Sequence, residues 1–529
     1  MRRIGVLVPA LLVSGCLVGP DYVRPPTANP PTPAYKEAKA APMTPAEAAA
    51  AAVFQPADPR DGAPRGPWWQ VYGDPTLDRL AAEIDTANQN LKVFEANYRR
   101  ARALIRQDTS ALYPSISMTS AAQQTGTGGL RGSSGVSTAI NRADTSQGQF
   151  SSGLTLAWEI DVWGKLRRQV ESDSTAAQAS EADLANARLS AQSDLAINYF
   201  GLRISDDRKR LFEATVAAYA RSMQIVQNQV NAGIASRLDL SQAQAQYELA
   251  RSQLVAEAAN RALLEHAIAL LIGRAPSELG IAPAPTQLSI PTVDAGIPST
   301  LLERRPDIAG AERRMASANA QIGVAQGAFY PAISLGATIS FVSGGLGSLL
   351  QLGNAVWSVG PQLAATLLDG GALAAQVEGA RANYDATVAT YRQTVLTAFQ
   401  QVEDALAQQR VYVQQEQVQR AAVAAAREAE RLSINQYQAG TVPYTTVVTT
   451  QTTALNAEQT LLNIRLNRLT ASGNLVKALG GGWRQEDLPS PTPIGGLKQA
   501  DPAPPAFPPA GPTVPAAPPA PAASTVSAR

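Results

Sequence analysis

The chain of 529 residues holds one cysteine and one histidine, Cys16 and His266, and that scarcity removes most site chemistry at once. No disulfide can close within the chain, and no zinc site can be assembled from cysteine and histidine ligands alone. A serine–histidine–aspartate triad would need His266, which sits in the helical stretch Ala262 to Leu270 and reads as a surface or packing residue. Nucleophile-elbow, phosphate-loop, His-Glu-x-x-His and dinucleotide-binding glycine patterns are missing, and Gly126, Gly128, Gly129 and Gly132 read as a loop. An enzyme is not expected, and neither is a metal or an organic cofactor.

Charge of one sign is lacking too. Lys and Arg total 44 against 43 Asp and Glu, a net charge of +1, so no basic field exists to draw nucleic acid. Aromatics at 5% and charged residues at 16% are low for a compact globular enzyme, and suit long helices that meet through small side chains. The interior of the chain offers no continuous apolar run long enough for a transmembrane helix, so any crossing of a bilayer must use β-strands.

What is present begins with an address. Met1-Arg2-Arg3, an apolar run from Ile4 to Val13 and the small residues Ser14-Gly15 make a signal segment, too short to span a membrane. Leu12-Val13-Ser14-Gly15-Cys16 resembles a bacterial lipobox, whose thiol takes a diacylglycerol; covalent lipid on Cys16 is the one attached group expected. Leu17, rather than Asp, follows it, which by resemblance to other lipoproteins argues for the outer membrane. The expected organisation is a signal peptide over 1–15, a lipidated Pro/Ala-rich tether over 16–66, repeats over 67–280 and 281–488, and a Pro/Ala-rich disordered tail over 489–529.

The folded part is a duplication. Ala111-Leu112-Tyr113-Pro114-Ser115-Ile116-Ser117 returns as Ala328-Phe329-Tyr330-Pro331-Ala332-Ile333-Ser334, 217 residues later. Gln169-Val170-Glu171 returns as Gln376-Val377-Glu378, and Asn231-Ala232-Gly233 as Gln438-Ala439-Gly440, both 207 later. The residues lost fall where the first copy carries the Gly/Ser/Thr-rich stretch Gln123 to Gly148, which gives it the longer loop. Within each copy apolar residues first alternate: Leu154, Leu156, Trp158 and Ile160; Ile333, Leu335, Ala337, Ile339 and Phe341; Trp357, Val359, Pro361, Leu363, Ala365 and Leu367; more weakly Ile116 and Met118. Their partners are small or polar, as a water-filled barrel in lipid requires. Proline-free helices then run from about Gly164 to Asn231 and from Gly371 to Gln438, each about 100 Å at 1.5 Å per residue. After turns at Gly233 and Gly440, helices return over about 236–273 and 443–480. Asp74-Pro75 and Arg305-Pro306-Asp307 open the helices that precede the strands. Four strands cannot close a barrel, for which about eight are needed, and an open sheet leaves edges unpaired in lipid. The strands must be pooled between chains.

Leu301-Leu302-Glu303-Arg304-Arg305-Pro306-Asp307-Ile308, with Ala311-Glu312-Arg313 and Tyr330-Pro331, resembles the TolC-type outer-membrane factors, specifically the NodT-like lipoprotein branch of tripartite efflux systems. Trp68-Trp69, Asp74-Pro75 with Leu77, and Glu159-Ile160-Asp161-Val162-Trp163-Gly164 support it. The resemblance implies a mixed α and β membrane protein. The same resemblance implies a homotrimer whose four strands per chain build a twelve-stranded outer-membrane β-barrel, continuous with a long periplasmic α-helical barrel. It implies a passive exit channel for drug-like small molecules, served by a periplasmic adaptor and an inner-membrane pump of the RND class. By the same resemblance the hairpin tips, Gly233, Ile234, Gly440, Thr441 and Val442, are candidate adaptor contacts. Many relatives close the pore after the second tip with a Leu and, one helical turn on, an acidic residue; here those positions are Thr445 and Thr449. Asp239, and Tyr444 beside the threonines, become the other candidates for the constriction, although Asp239 equally suits a helix cap. Protein secretion, metal-ion efflux and a poreless coiled-coil scaffold are the competing expectations.

Overall fold

The computed structural model describes residues 17–26, 35–37, 67–126, 146–290 and 304–481. The chain divides into a body, Met1–Pro491, and a C-terminal unit, Thr492–Arg529, which lies outside the described residues. So do Cys16 and its signal segment, most of the expected tether, the loop over 127–145 and residues 301–303 of the signature.

A 3-10 turn over Trp68–Tyr72 leads into α1 (Pro75–Ala87) and α2 (Gln89–Ser110), then β1 (Ser115–Gly126) and β2 (Ser146–Ile160). Next come α3 (Lys165–Asn231) and α4 (Arg237–Leu271). The second half repeats the order with α5 (Pro306–Gly327), β3 (Ala332–Ser343), β4 (Ala355–Ala364), α6 (Ala372–Gln438) and α7 (Tyr444–Ala478). The duplication read in the sequence is kept to the residue: α3 and α6 have 67 residues each, α4 and α7 have 35. The helix starts follow local chemistry. Asp74 caps α1 by accepting from the backbone N–H groups of Thr76 at 2.8 Å and Leu77 at 3.3 Å, ahead of Pro75 at the first helical position. Asn88 caps α2 through Leu91 N–H at 3.0 Å and donates its amide to the last carbonyl of α4, that of Leu271, at 2.6 Å.

The two larger of the hydrophobic clusters among the described residues hold the repeats. Trp68, Trp69, Tyr72, Leu77, Leu80 and Ile84 pack on Tyr199, Phe200 and Leu202 of α3, with Tyr72 and Phe200 ring centroids 4.7 Å apart. Ile308 and Met315 of α5 pack on Tyr391, Val395 and Val402 of α6. Near the strands the helices lie side by side as α2, α3, α5, α6; towards the tips the order is α4, α3, α7, α6. The free edges are therefore α2 and α6 in one half, and α4 and α6 in the other.

The strands form one antiparallel sheet in the order β1-β2-β3-β4, with β1 and β4 at its edges. β4 stops at Ala364, although the alternation in the sequence continues through Ala365 to Leu367. β3 begins at Ala332, opposite Ala364, so nothing on that side extends the ladder further.

The described parts of the expected tether are fixed to the body. Val18 N–H donates to Trp163 O at 3.1 Å, Asn319 Nδ2 to Pro20 O at 2.9 Å and Tyr22 OH to Glu312 Oε1 at 2.7 Å. Arg24 Nη2 donates to Tyr391 OH at 3.2 Å, and Tyr35 is buried in the core of the second repeat. The backbone N–H groups of Lys36 and Glu37 both donate to Glu403, at 2.7 and 3.0 Å. In these two stretches, 17–26 and 35–37, aromatic and polar residues strap the chain to α3, α5 and α6, a role that composition alone conceals.

Candidate functional site

The sheet is two-faced. Register places Met118, Leu154, Ile339 and Trp357 in one row across all the strands, and Ile116, Leu156, Ala337 and Val359 in the next. These side chains are bare: Trp357 is 72% exposed, Met118 and Ile116 each 70%. A continuous apolar face of this size in water is unfavourable, and hydrocarbon is its natural neighbour. The opposite face carries Ser117, Thr119, Thr155, Ser334, Thr338 and Ser358, with Thr338 and Ser358 hydroxyls 2.7 Å apart.

Where strands meet helices, aromatic rings gather. Trp163 stacks on Tyr330 with centroids 4.9 Å apart, and its Nε1 donates to Pro331 O at 2.9 Å. Trp158 Nε1 donates to Leu112 O at 3.0 Å, and Tyr113 and Phe329 stand exposed nearby in the chain. Rings with one apolar body and one polar handle belong at a lipid–water boundary. Among the described residues no helix is long and apolar enough to cross a membrane.

At the far end of the long helices, the two tips are copies. Gly233 and Gly440 both adopt φ +73°, the left-handed conformation that closes a helix. Ile234 N–H returns to Gln229 O at 2.8 Å and Thr441 N–H to Gln436 O at 2.9 Å. Ile234 projects 76% exposed, Thr441 is exposed and Val442 half-buried, so the tips present an apolar and polar surface with no charge of their own.

The constriction candidates separate. Asp239 completes a capping box: its N–H donates to Ser236 Oγ at 3.1 Å and its carboxylate accepts from Ser236 N–H at 3.2 Å. The half-buried carboxylate therefore holds the start of α4. Tyr444 is only 2% exposed, packed with Val226, Ala243 and Val447 and set against Tyr437 at 5.1 Å. Burial pushes its hydroxyl pKa up to about 12, and Tyr437 and Asp239 add to the rise. With no free surface, Tyr444 is a packing residue in this conformation rather than part of a lining. Thr445 and Thr449 are exposed, and Thr449 Oγ1 donates to Thr445 O at 2.9 Å.

That pair belongs to a longer feature. Thr452, Thr453 and Thr460 continue the exposed face of α7, bonding back to Val448 O, Thr449 O and Asn456 O at 2.8 to 2.9 Å. The i, i+4 recurrence of threonine from 445 was the signal for it. His266 is exposed on α4 and makes no hydrogen bond or ion pair among the described residues. No group of acidic, histidine or cysteine side chains among those residues is placed to hold a metal ion.

A family model described as Outer membrane efflux protein matches residues 80–274 and 297–481, the two repeats in turn. The Toluene efflux pump outer membrane protein TtgC of Pseudomonas putida is 31% identical over 497 residues, covering 91% of this chain and 96% of its own. The Pyoverdine export outer membrane protein OpmQ of Pseudomonas aeruginosa is 31% identical over 422 residues, covering 79% of this chain and 88% of its own. Among solved structures, the outer-membrane channel OprN superposes with a TM-score of 0.75 at 28% identity, covering 88% of this chain and all of that one.

Proposed function

The chain belongs to the outer membrane efflux protein family, and from that premise we propose that three copies assemble into the exit duct of a tripartite efflux pump for hydrophobic small molecules. It acts in the outer membrane, as an efflux channel component. The observation that carries the finer reading is the sheet with an apolar face, a small polar face and two free edges. Such a sheet is tenable in lipid only when every edge is paired, which here requires other copies of the chain. Two copies supply eight strands, a number whose interior side chains tend to fill; three supply twelve and leave water between walls of Ser, Thr, Gly and Gln that also carry Glu159.

The helical layer supports the same count. Both halves are four helices wide with unpaired outer members, and exposed Leu249 and Leu263 on α4 and Leu396 and Val418 on α6 need neighbours. Three copies close these layers into a tube continuous with the barrel. The aromatic junction then sits at the inner boundary of the outer membrane, and Val18 is bonded to Trp163 within it. Cys16 lies two residues earlier in the chain, so an acyl group there would enter that leaflet without slack polypeptide. The tips at Gly233 and Gly440 face the periplasm, where a periplasmic adaptor and an inner-membrane pump, of the RND class by resemblance, supply specificity and energy. The chain has no catalytic role of its own. The threonine face of α7, beginning at Thr445 and Thr449, lines the narrow end.

Protein purified in mild detergent and imaged as single particles should show three-fold particles with a hollow shaft of about 100 Å, the length of the long helices. Solid rods or lumenless monomers would sink the reading.

A further inference from the structure

The two repeats of one chain meet at a seam, and the duplication lets that seam predict the one between chains. Moving first-repeat residues by 217 before the loop and by 207 after it carries the observed β1–β2 pairing Ser115↔Ala157 onto the observed β3–β4 pairing Ala332↔Ala364. The offsets therefore hold for three-dimensional register as well as for sequence. The seam between repeats is β2 against β3, with Leu156 opposite Ala337, continued below by α3 against α5. We propose that β4 and α6 of one copy dock on β1 and α2 of a second copy in this transposed register, with Leu363 opposite Ser120 and Arg106 ion-paired to Glu378. This rests on the assembly proposed above and names the contacts that make it.

Three observations support the transposition. Leu156↔Ala337 becomes Leu363↔Ser120, and the same shift places Leu367 opposite Ile116. The apolar residues of both strands stay on one face, and Ala365 to Leu367 gain the partner that the isolated chain denies them. That accounts for an alternating pattern running past the end of β4, and for Leu367 being 94% exposed.

The helices complement each other in size. Within the chain, Arg168 of α3 lies over Gly323 of α5, where an added Cβ would stand 2.9 Å from Arg168 Cγ. The transposed positions are Ala375 on α6 and Arg106 on α2, so the large and small partners exchange sides. Ser172 and Ser317, whose hydroxyls meet at 2.9 Å, become Gly379 and Arg100, again with the large residue on α2. Around Gly379 nothing lies within 4 Å of where a Cβ would be, which leaves room for an incoming side chain.

Charge agrees as well. Arg168 bonds Glu171 at 2.8 Å within the chain, and the position equivalent to Glu171 is Glu378. Arg106 and Glu378 are both exposed and make no ion pair or hydrogen bond among the described residues. Across the seam the same acid meets an arginine donated by the other helix.

The test is oxidative cross-linking of the full-length protein in membranes, with native mass spectrometry of the reduced sample. Ser120→Cys with Leu363→Cys should form a disulfide ladder up to the covalent trimer. Either single variant should not, nor should Ser120→Cys with Val359→Cys, four residues out of register. Glu378→Arg should lower the denaturant concentration at which the assembly dissociates, and adding Arg106→Glu should restore it. Intact trimers that cross-link only out of register, or a double charge variant no better than the single, overturn the seam and leave the assembly reading standing. Reduced samples that are monomeric overturn both.

Discussion

Tyr199, deep in α3, donates its hydroxyl proton to the carboxylate of Asp74 at 2.6 Å, while Arg203 Nε donates to the same hydroxyl at 2.9 Å. Asp74 is also the cap of α1, so one carboxylate fixes both the start of a short helix and its seat on a long one. Burial, and then the bond to Asp74, push the phenol well above its ordinary pKa, so it stays a donor at any physiological pH. Asp74→Ala should cost about 2 kcal/mol, somewhat more than an ordinary cap, because the buried Tyr199 hydroxyl loses its acceptor as well. Tyr199→Phe should cost about 1 kcal/mol, and denaturant unfolding would separate the two values.

Two glycines of similar backbone conformation should respond differently to alanine. Gly480 has φ +89° and an added Cβ would lie 1.9 Å from the carbonyl oxygen of Arg304, so Gly480→Ala must displace the residues that lead into α5. Gly233 has φ +73° with nothing within 4 Å, so Gly233→Ala should cost only about 1 kcal/mol of strain. Comparison of thermal midpoints checks the contrast.

Glu416 is buried between α6 and α7 and meets Arg420 at 2.5 Å, Arg465 at 3.3 Å and Arg468. Burial alone would raise its pKa, but the guanidiniums of Arg468 and Arg420 outweigh it and hold the carboxyl below the ordinary value. A depressed folded pKa means stability present above the unfolded value and lost as pH falls through the folded one. Glu416→Gln should therefore destabilise by about 2 kcal/mol at neutral pH and flatten the acid limb of the stability profile.

Asp173 titrates the other way. Burial, then its hydrogen bond to Asp108, raise its pKa from the ordinary 3.8 to about 6. Its protonated form is favoured in the fold, so this contribution is full below the ordinary value and fades as pH rises through about 6. Asp173→Asn should remove that decline, giving a variant more stable than the parent at pH 8 and little changed at pH 4. Urea unfolding at both pH values measures it.

The lining proposed for the threonine face of α7 predicts conductance. Thr445 and Thr449 offer no carboxylate to a divalent cation, so magnesium should barely alter current through single channels. Thr449→Asp places one carboxylate per copy at that level and should make the current cation-sensitive. An unchanged response would move the constriction elsewhere.

Much of this architecture was legible because periodicity and proline absence are local signals. α3 and α6 run between the glycines and turns that bound them in the sequence, and β2 and β3 carry the alternation expected of them. Tyr444 was not legible: its neighbours Val226 and Ala243 come from α3 and α4, and no spacing along α7 encodes that packing. The strap was hidden for a similar reason. Tyr22 and Tyr35 sit in a proline-rich context, while Glu312, which accepts from Tyr22, is 290 residues away and the core that takes Tyr35 belongs to the second repeat.

That strap has a mechanical meaning. A pull on the chain near Leu17 is taken up at once by Arg168, which is 2% exposed and grips the carbonyls of Val18 and Gly19, each at 3.2 Å, and the carboxylate of Asp21 at 2.8 Å. Further along, Glu312, Tyr391 and Glu403 share the load. Tension entering at Leu17 would thus be delivered sideways into α3, α5 and α6 as shear between side chains, and the body would follow rigidly instead of swinging on a leash.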